Sequence, residues 1–474
     1  MNVDLHSEQS ADSGQISARL LASVCIAALG GFLFGYDSAI INGTVDAIRD
    51  RFGLTSGMLG FTVSCALLGA ALGSWYAGWC ASRIGRVRTM LVASLLLTAS
   101  ALGSGIALGV WDLIAWRFIG GVGVGFASVI APAYIAEVSP ARMRGRLGTL
   151  QQMALVTGIF LSLLAGAALA GLAGGASEPW LGVGAWRWMF LSELLPAALY
   201  GLLALRLPES PRHLVEKKKE NEARDVLRRY VGITSENMLT AKIDQIRSTL
   251  DTEKKQRFSD LLGGAFGFKR IVWLGIVLSV LQQFVGINVI FYYSTTLWRS
   301  VGFQESDSFT ISVVTSMTNV AATVIAITLV DVIGRKRLLL IGSALMTVSL
   351  AAMAVAFSFA MTVDGTLTLP QPWGLIALIG ANLFVVGFAA SWGPLVWLLL
   401  GEMFPNHIRA MALGIGAAAQ WIANFVVTAT FPALADISLA VAYGLFAFFA
   451  LVSFVVVLRA VRETKGVELE HMQL

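Results

Sequence analysis

An aspartate stands inside an apolar run near the start of the chain. Asp37 lies in the string GGFLFGYDSAIING, close to the end of a hydrophobic stretch that covers 19–42. If this run crosses a membrane, an ionised carboxylate there costs about 2.5–3.5 kcal/mol on insertion scales. The carboxylate is therefore expected to face a water-filled cavity or an oppositely charged partner.

The sequence offers Arg117 as a partner for Asp37. Arg117 lies about five residues into the apolar run 112–136, and Asp37 lies about five residues before the end of its own run. If the two runs cross the membrane in opposite directions, the two side chains are at matching depth. A proton on Asp37 would weaken such a pair, which is the chemistry of a proton-coupled carrier. The alternative is a permanent ion pair that only fixes helix packing.

The composition indicates that most of the chain lies in a membrane. Apolar residues make up 56% of the 474 positions and charged residues only 13%, with a mean hydropathy of +0.74. A soluble protein of this length needs a far more charged surface. Runs of about 18 or more apolar residues indicate membrane-spanning helices. The sequence thus predicts an all-α membrane protein with twelve transmembrane helices, at 19–42, 57–80, 89–109, 112–136, 147–172, 186–207, 269–297, 309–330, 337–361, 372–400, 408–431 and 437–460.

Basic residues indicate which ends of the predicted helices face the cytoplasm. They crowd alternate loops, such as 83–88, 142–146, 208–268 and 335–337, whereas the opposite loops hold few. Because positively charged loops stay on the cytoplasmic side, we expect a multi-pass protein of the cell's inner membrane with both termini in the cytoplasm. The excess of basic over acidic residues, 34 against 29, follows from these loops and needs no nucleic acid as partner.

Few residues in the predicted spans could support catalysis or bind a metal. All four histidines lie outside the spans, and the three cysteines show no spacing typical of a zinc site or a disulfide framework. The glycine string at 120–125 lacks the Lys-Ser/Thr ending of a phosphate loop, and inside a span its glycines permit close helix packing. We therefore expect no enzyme activity, no cofactor and no metal site.

Two short strings recur across the polar segment 208–268. The string EVSPARMRG returns as EMFPNHIRA, and RIGRVR at 83–88 returns as VIGRKR at 332–337. The chain is therefore predicted to be a duplicated six-span unit, as in secondary transporters whose substrate site lies between two halves. The predicted divisions are a tail at 1–18, a first half at 19–207, a cytoplasmic linker with short helices at 208–268, a second half at 269–460 and a tail at 461–474.

The chain resembles the sugar porter family of the major facilitator superfamily over nearly its whole length. The matching strings, in family order, are GYD at 35–37, RFIGGVGVG at 117–125, PAYIAEVSPARMRG at 132–145, PESPR at 208–212, QQFVGIN at 282–288, GRK at 334–336, SWGPLVW at 391–397, AQWIAN at 419–424 and ETKG at 463–466. The resemblance implies two six-helix halves that expose a central site to each side of the membrane in turn. Members with an aspartate at position 37 and an arginine in the fourth span include proton symporters, which favours symport; the alternative is energy-independent facilitated uptake.

The resemblance also implies ion pairs near the cytoplasmic helix ends that hold the inside shut. The expected gating residues are Arg83, Glu137, Arg144, Glu209, Arg212, Arg335, Glu402 and Arg409. Three departures concern these loops: Ser82 stands in place of an acidic residue, Val332 in place of a basic one and Arg462 in place of proline. The alternative is that the basic residues only hold the loops inside.

A sugar site is expected where neutral amides converge. Sugar hydroxyls both donate and accept hydrogen bonds, so amide side chains and an aromatic wall suit them. The alternative is that the amides only link helices. The resemblance assigns sugar contacts to Gln152, Gln282, Gln283, Asn288, Trp392 and Gln420, to which we add Asn319, Trp421 and Asn424.

A bend is also expected in the tenth span, because Pro394 follows Gly393 there and proline disrupts a helix. The bend is either a functional hinge or static packing. We expect a monomer in the lipid bilayer that carries a monosaccharide, either a hexose or a pentose, with the proton as co-substrate. A membrane sugar sensor is the alternative of another class, although such sensors typically carry a longer cytoplasmic tail.

Overall fold

The helices follow the order of the apolar runs. The computed structural model describes residues 17–140, 143–233, 235–253, 258–264, 267–363, 366–405 and 408–464. Its long helices are numbered here as spans 1 to 12 in chain order. The side that holds the segment between spans 6 and 7 is called the linker side, and the other is called the opposite side.

The first half contains spans 1 to 6. Span 1 continues into a 3-10 turn, Ile41–Thr44, and a short helix, Val45–Phe52. The spans are Ala18–Ile40, Ser56–Ile84, Arg86–Ile106, Val110–Val138, Arg144–Ala173 and, as span 6, Ala185–Ser192 followed by Leu194–Ala204.

Span 6 is interrupted at Glu193. By length and hydropathy, eleven helical segments of the described chain could cross a membrane, and span 6 is not among them. Its two pieces together cover 185–204. They begin one residue before the apolar run 186–207 and end three residues before the end of that run. The interruption places a buried carboxyl group at the centre of the first half.

The second half contains spans 7 to 12, of which two are irregular. Span 7 breaks at Gly286, and span 10 contains a π-helical turn, Phe388–Trp392. The spans are Arg270–Phe284 with Ile287–Ser300, Glu305–Ile333, Arg335–Ser358, Trp373–Gly387 with Gly393–Met403, Arg409–Ile437 and Leu439–Ala460. The π turn ends at Trp392, directly before Gly393 and Pro394, and the bend expected there stays a prediction.

Short elements fill the connections. The linker holds the helices Pro211–Glu216, Glu220–Val226 and Glu236–Glu253, with a π turn at Leu227–Val231 and a 3-10 turn at Phe258–Leu261. Three two-stranded antiparallel hairpins pair Pro179–Trp180 with Val183–Gly184, Leu262–Gly264 with Gly267–Phe268, and Met361–Val363 with Thr366–Thr368.

Glycines allow the spans to approach closely. Span 4 packs against spans 1, 2 and 3, and span 9 packs against spans 10 and 12. A Cβ atom on Gly121 of span 4 would lie 2.0 Å from the carbonyl oxygen of Ala66 in span 2, so only glycine fits there. The halves meet where span 2 packs on span 11 and span 5 on span 8. The predicted fold, twelve helices in two halves, is confirmed.

Candidate functional site

The structure brings Asp37 and Arg117 together in the first half. Arg117 Nη1 donates to Asp37 Oδ1 at 2.8 Å, and the same guanidinium lies 3.4 and 3.5 Å from the Asp37 carbonyl oxygen. Both side chains are only 2% exposed. Removing one partner of such a buried pair is strongly destabilising, because the other charge is left without compensation. A change of charge at Asp37 therefore leaves Arg117 as an uncompensated buried cation.

A second carboxyl group lies beside this pair. Glu193, at the break in span 6, is 1% exposed and interacts electrostatically with both Asp37 and Arg117. Its Oε1 atom has no hydrogen-bond partner among the described residues. One guanidinium balances one carboxylate, so a neutral cluster requires a proton on one of the two carboxyl groups. Sequence analysis missed Glu193, although an acidic residue within an apolar run was the signal that identified Asp37.

A small cavity connects the ion pair to the second half. Asp37 and Arg117 line it together with Tyr292 of span 7 and Trp421 of span 11. The Tyr292 hydroxyl interacts with the side chains of Ser38 and Asn424. The cavity therefore has walls from both halves, and the ion pair lies at the contact between the halves.

The amides of span 7 lie on either side of the helix break. Gly286 has a φ of +82°, and a Cβ atom there would lie 2.6 Å from the Phe446 ring, so the break requires glycine. Across it, Asn288 Nδ2 donates to Gln283 Oε1 at 2.6 Å. On the preceding turn, Gln282 Nε2 donates to the Trp392 carbonyl oxygen at 2.8 Å, and Gln282 Oε1 is buried without a partner among the described residues.

Trp392 is fully buried at the end of the π turn of span 10. Its indole nitrogen donates to Ser343 Oγ of span 9 at 2.8 Å. In this conformation the main chain of Trp392, through its carbonyl oxygen, holds Gln282, while the indole ring packs between spans. The expected contact between Trp392 and a sugar stays a prediction.

Span 11 supplies three of the predicted residues. Gln420 Oε1 is buried and has no partner among the described residues. The Trp421 ring lies 5.6 Å from that of Phe34, centre to centre, and so joins the two halves. Asn424 is 6% exposed and accepts a hydrogen bond from Thr428 at 3.1 Å.

The remaining amides lie on spans 5 and 8, which pack against each other across the halves. Asn319 is buried and Gln152 is half-buried. Gln151 packs instead against span 1, since its Nε2 lies 2.6 Å from where a Gly31 Cβ would be. The Gln151 Oε1 atom is nonetheless buried without a hydrogen-bond partner among the described residues.

The halves are joined on the opposite side. Asn42 Nδ2 donates to the Phe291 carbonyl oxygen at 2.9 Å and to Ser294 Oγ at 2.8 Å, and its Oδ1 accepts from Thr295 Oγ1 at 2.7 Å. Arg299 pairs with Asp46 at 2.7 Å in the same region. These bonds close the opposite side.

The halves splay apart on the linker side. Gly60 of span 2 is so close to span 11 that a Cβ atom would lie 2.0 Å from the Ala429 carbonyl oxygen. About five turns further along the same helical face, Gly78 has open space around it, as does Gly414 of span 11. Trp75 beside it is 74% exposed. Spans 2 and 11 therefore diverge toward the linker side.

An ion-pair cluster braces the linker side of the first half. Arg86 Nε and Nη2 donate to Glu137 at 3.0 and 2.9 Å, and the Arg86 backbone N–H donates to Glu209 at 2.9 Å. Ser210 Oγ also donates to Glu137. Arg212 lies at its edge, with Nε 3.8 Å from Glu137.

The second half carries the same cluster. Arg335 donates to Glu402 at 3.0 Å through its side chain and to Glu463 at 2.9 Å through its backbone N–H. Thr464 donates to Glu402 as Ser210 donates to Glu137. The strings PES at 208–210 and RET at 462–464 are thus corresponding parts of the internal repeat. Their correspondence was not evident from the sequence, because the residues around them differ.

Several expected gating residues have other surroundings. Arg83 lies over the Trp79 ring at 4.4 Å, and Arg86, the repeat counterpart of Arg335, makes the ion pair. Arg409 Nε donates to the Phe404 carbonyl oxygen at 3.0 Å. Arg144 begins span 5, and its side chain lies outside the described part of the structure. Among the described residues, Glu137 pairs with span 3 and the linker and Glu402 pairs with span 9, so an ion-pair latch between the halves stays a prediction.

Comparison with known proteins decides the family. The family model for "Sugar (and other) transporter" matches residues 23–474. The chain belongs to this sugar transporter family. Among its relatives, the glucose transport protein of Synechocystis sp. is 53% identical, with 94% of this chain and 95% of that protein covered, and the D-xylose-proton symporter of Escherichia coli is 34% identical, with 96% of each covered.

A solved member of the family has the same architecture. The inward open conformation of the xylose transporter from E. coli superposes with a TM-score of 0.79 at 34% identity, covering 95% of this chain and 98% of that one. This sugar transporter is thus a multi-span membrane protein of the predicted class.

Proposed function

We propose that this sugar transporter is a monosaccharide:proton symporter that works by alternating access, with glucose as the first candidate sugar. Its 53% identity to a glucose transport protein supports the choice of glucose, and its likeness to a xylose-proton symporter supports proton coupling. The observation that carries the proposal is the buried Asp37–Arg117 pair, which opens onto a cavity with walls from both halves.

The protein lies in the inner membrane with its linker side and both termini in the cytoplasm. The basic loops all lie on that side, as the positive-inside rule requires. The conformation described above is then inward-open, and the Asn42 bonds close the outside. The proposed transport unit is a single chain, because residues of both of its halves line the cavity.

Proton binding and sugar binding act on the same contact between halves. A proton that reaches Asp37 from outside neutralises the carboxylate and weakens its attraction to Arg117. Arg117 and Asp37 line the cavity together with Tyr292 and Trp421, so this change alters the wall that the second half provides. Glu193 stands beside the pair as a second group that can hold the proton.

The sugar binds to the amides around the break in span 7. Gln282 and Gln420 each present a buried oxygen without a partner within the described residues, and such an atom gains a hydrogen bond from a sugar hydroxyl. Trp421 supplies the aromatic wall. Leaving buried polar atoms unpaired costs about 1–3 kcal/mol each, so these oxygens favour a ligand that donates hydrogen bonds.

Sugar-evoked proton movement in proteoliposomes tests the proposal. Glucose, xylose, galactose and fructose are added separately to vesicles of the purified protein with a pH-sensitive dye outside. Symport alkalinises the medium on addition of the transported sugar. Sugar counterflow without any proton signal would instead identify a facilitated uniporter, and no movement of any sugar would contradict both functions.

A further inference from the structure

A buried histidine belongs to the ion-pair cluster of the first half. His213 lies on the first linker helix, Pro211–Glu216, and is 6% exposed. Its Nε2 atom lies 3.3 Å from where a Cβ atom on Gly85 would be. The imidazole is therefore packed between the linker and the loop that joins spans 2 and 3.

The geometry defines which nitrogen of His213 is free of a proton. Arg86 Nη1 lies 3.2 Å from His213 Nδ1. A guanidinium can only donate, so Nδ1 accepts and carries no proton in this arrangement. Protonation at Nδ1 would remove the acceptor and place a second cation against Arg86.

Charged groups face His213 from every element packed around it. Glu216 Oε2 lies 4.0 Å from Nδ1 on the same helix, and Glu209 precedes that helix. Arg86 faces it from span 3, and Lys217 follows on the linker. Two further charges act on His213 indirectly. Glu137 of span 4 lies 2.9 Å from Arg86, and Arg212 lies 3.8 Å from Glu137.

These surroundings keep the imidazole neutral at neutral pH. Burial lowers the pKa of His213 below its usual value; Arg86 and Lys217 act in the same direction, whereas Glu209 and Glu216 oppose them. A group of this kind charges only as the cytoplasm becomes acidic. Acidification on the linker side is therefore the change that would protonate this imidazole.

The second half provides an internal comparison. Its cluster repeats the Arg–Glu ion pair, the backbone contact and the hydroxyl contact, with Glu463 and Thr464 in the roles of Glu209 and Ser210. The shift that relates Glu209 to Glu463 relates His213 to Val467, which does not titrate. Among the described residues, the second cluster forms its ion pair without a histidine, so His213 adds a titratable group to the first cluster that this pairing does not require.

We propose that His213 is a positioning residue that makes transport sensitive to cytoplasmic pH. When His213 is neutral, it holds Arg86 toward Glu137 and so ties the linker to the ends of spans 2, 3 and 4. When Nδ1 is protonated, Arg86 is repelled, the tie loosens, and the first half no longer moves as one body. Transport then slows. If the proposed symport is correct, imported protons would slow further import.

Sugar exchange in right-side-out vesicles tests this role. The interior is set between pH 7.5 and 5.5 while the exterior stays at pH 7.5, and labelled sugar exchanges without net proton movement. We compare the wild type with His213→Asn, whose carbonyl oxygen can accept from Arg86 without titrating, and with His213→Lys, a permanent cation. Both variants retain Asp37, so any pH effect of the coupling site is common to all three.

Wild-type exchange is expected to fall as the interior is acidified, by up to about tenfold per pH unit below the His213 pKa. His213→Asn should keep its exchange rate where the wild type loses it, and His213→Lys should be slow at every pH. His213→Gln is a second acceptor variant if the asparagine protein does not fold. Coinciding pH profiles for wild type and acceptor variant, or full activity of the lysine variant at pH 7.5, would overturn the proposal. Exchange needs no proton coupling, so these outcomes do not depend on whether the protein is a symporter.

Discussion

At the scale of single residues, the buried Asp37–Arg117 pair is the feature on which the proposed proton coupling depends. Asp37 and Arg117 lie at the depth that their positions in the sequence predicted, and they are in contact at 2.8 Å. Depth is set by helix rise alone, so it can be read from sequence. Glu193 was not predicted, because its contact with the pair depends on how span 6 breaks and turns inward.

Asp37→Asn is expected to abolish pH-driven sugar accumulation while sugar exchange survives. The amide keeps the size of the carboxyl group but cannot take up a proton. Arg117 loses its counter-charge, so some loss of stability is expected. Accumulation and exchange are both measured in proteoliposomes, with thermal unfolding as a check on folding.

Asp244→Asn is the matched control for this change, since Asp244 forms an exposed Asp–Arg pair with Arg247 within the linker helix Glu236–Glu253, away from the cavity and from the contacts between the halves. It should leave accumulation intact. A wild type that is indifferent to a pH gradient, together with unaltered transport by Asp37→Asn, would make the pair purely structural.

Gln282→Ala and Gln283→Ala are each expected to weaken sugar binding. Truncation leaves sugar hydroxyls unpaired at a cost of about 1–3 kcal/mol, which corresponds to about a 5- to 150-fold rise in Kd. Binding is measured by calorimetry or fluorescence titration. Gln245→Ala, on the exposed linker helix, is the control. Wild-type affinity in both single variants and in the double variant would contradict the site.

At the scale of helices, the amide site depends on a break that only glycine permits. Gly286 separates the two pieces of span 7, so Gln283 and Asn288 face each other across it instead of following one another along a helix. The sequence predicted the amides and their span. It did not predict the break, because a single glycine in an apolar run is compatible with a continuous helix.

Gly286→Ala is expected to destabilise the protein and to reduce sugar binding. Alanine at a φ of +82° is strained by about 1–3 kcal/mol, and its Cβ atom would overlap Phe446. Thermal unfolding and sugar titration measure the two effects. Gly57→Ala is the control, since Gly57 has open space around it and alanine favours a helix. Equal behaviour of the two variants would show that the break tolerates a side chain.

At the scale of the whole molecule, the two halves are joined on the opposite side and spans 2 and 11 diverge on the linker side. The duplication of the sequence predicted two halves and the resemblance predicted alternating access, but neither predicts which state is more stable. That balance depends on contacts such as those of Asn42, which are formed between residues about 250 positions apart in the chain.

Asn42→Ala is expected to shift the population toward the outward-open state. The substitution removes hydrogen bonds that exist only when the outside is closed, at about 1–3 kcal/mol for the buried groups left unpaired. Cysteine labelling from the outside, at a position introduced in the cavity, measures the shift. Asn382→Ala is the control, because that amide bonds within its own helix. Equal labelling of wild type and Asn42→Ala would show that other contacts set the balance.

Two tryptophans on span 2 are placed so that their fluorescence should report the closing of the linker side. Trp75 and Trp79, 74% and 53% exposed, border the open gap at Gly78. When the linker side closes against span 11, we expect both indoles to leave their present surroundings and pack against protein. Their emission should then shift in wavelength and become harder to quench. With 13 tryptophans in the chain, the difference between wild type and a Trp75→Phe, Trp79→Phe double variant would isolate this signal and report turnover without an attached dye.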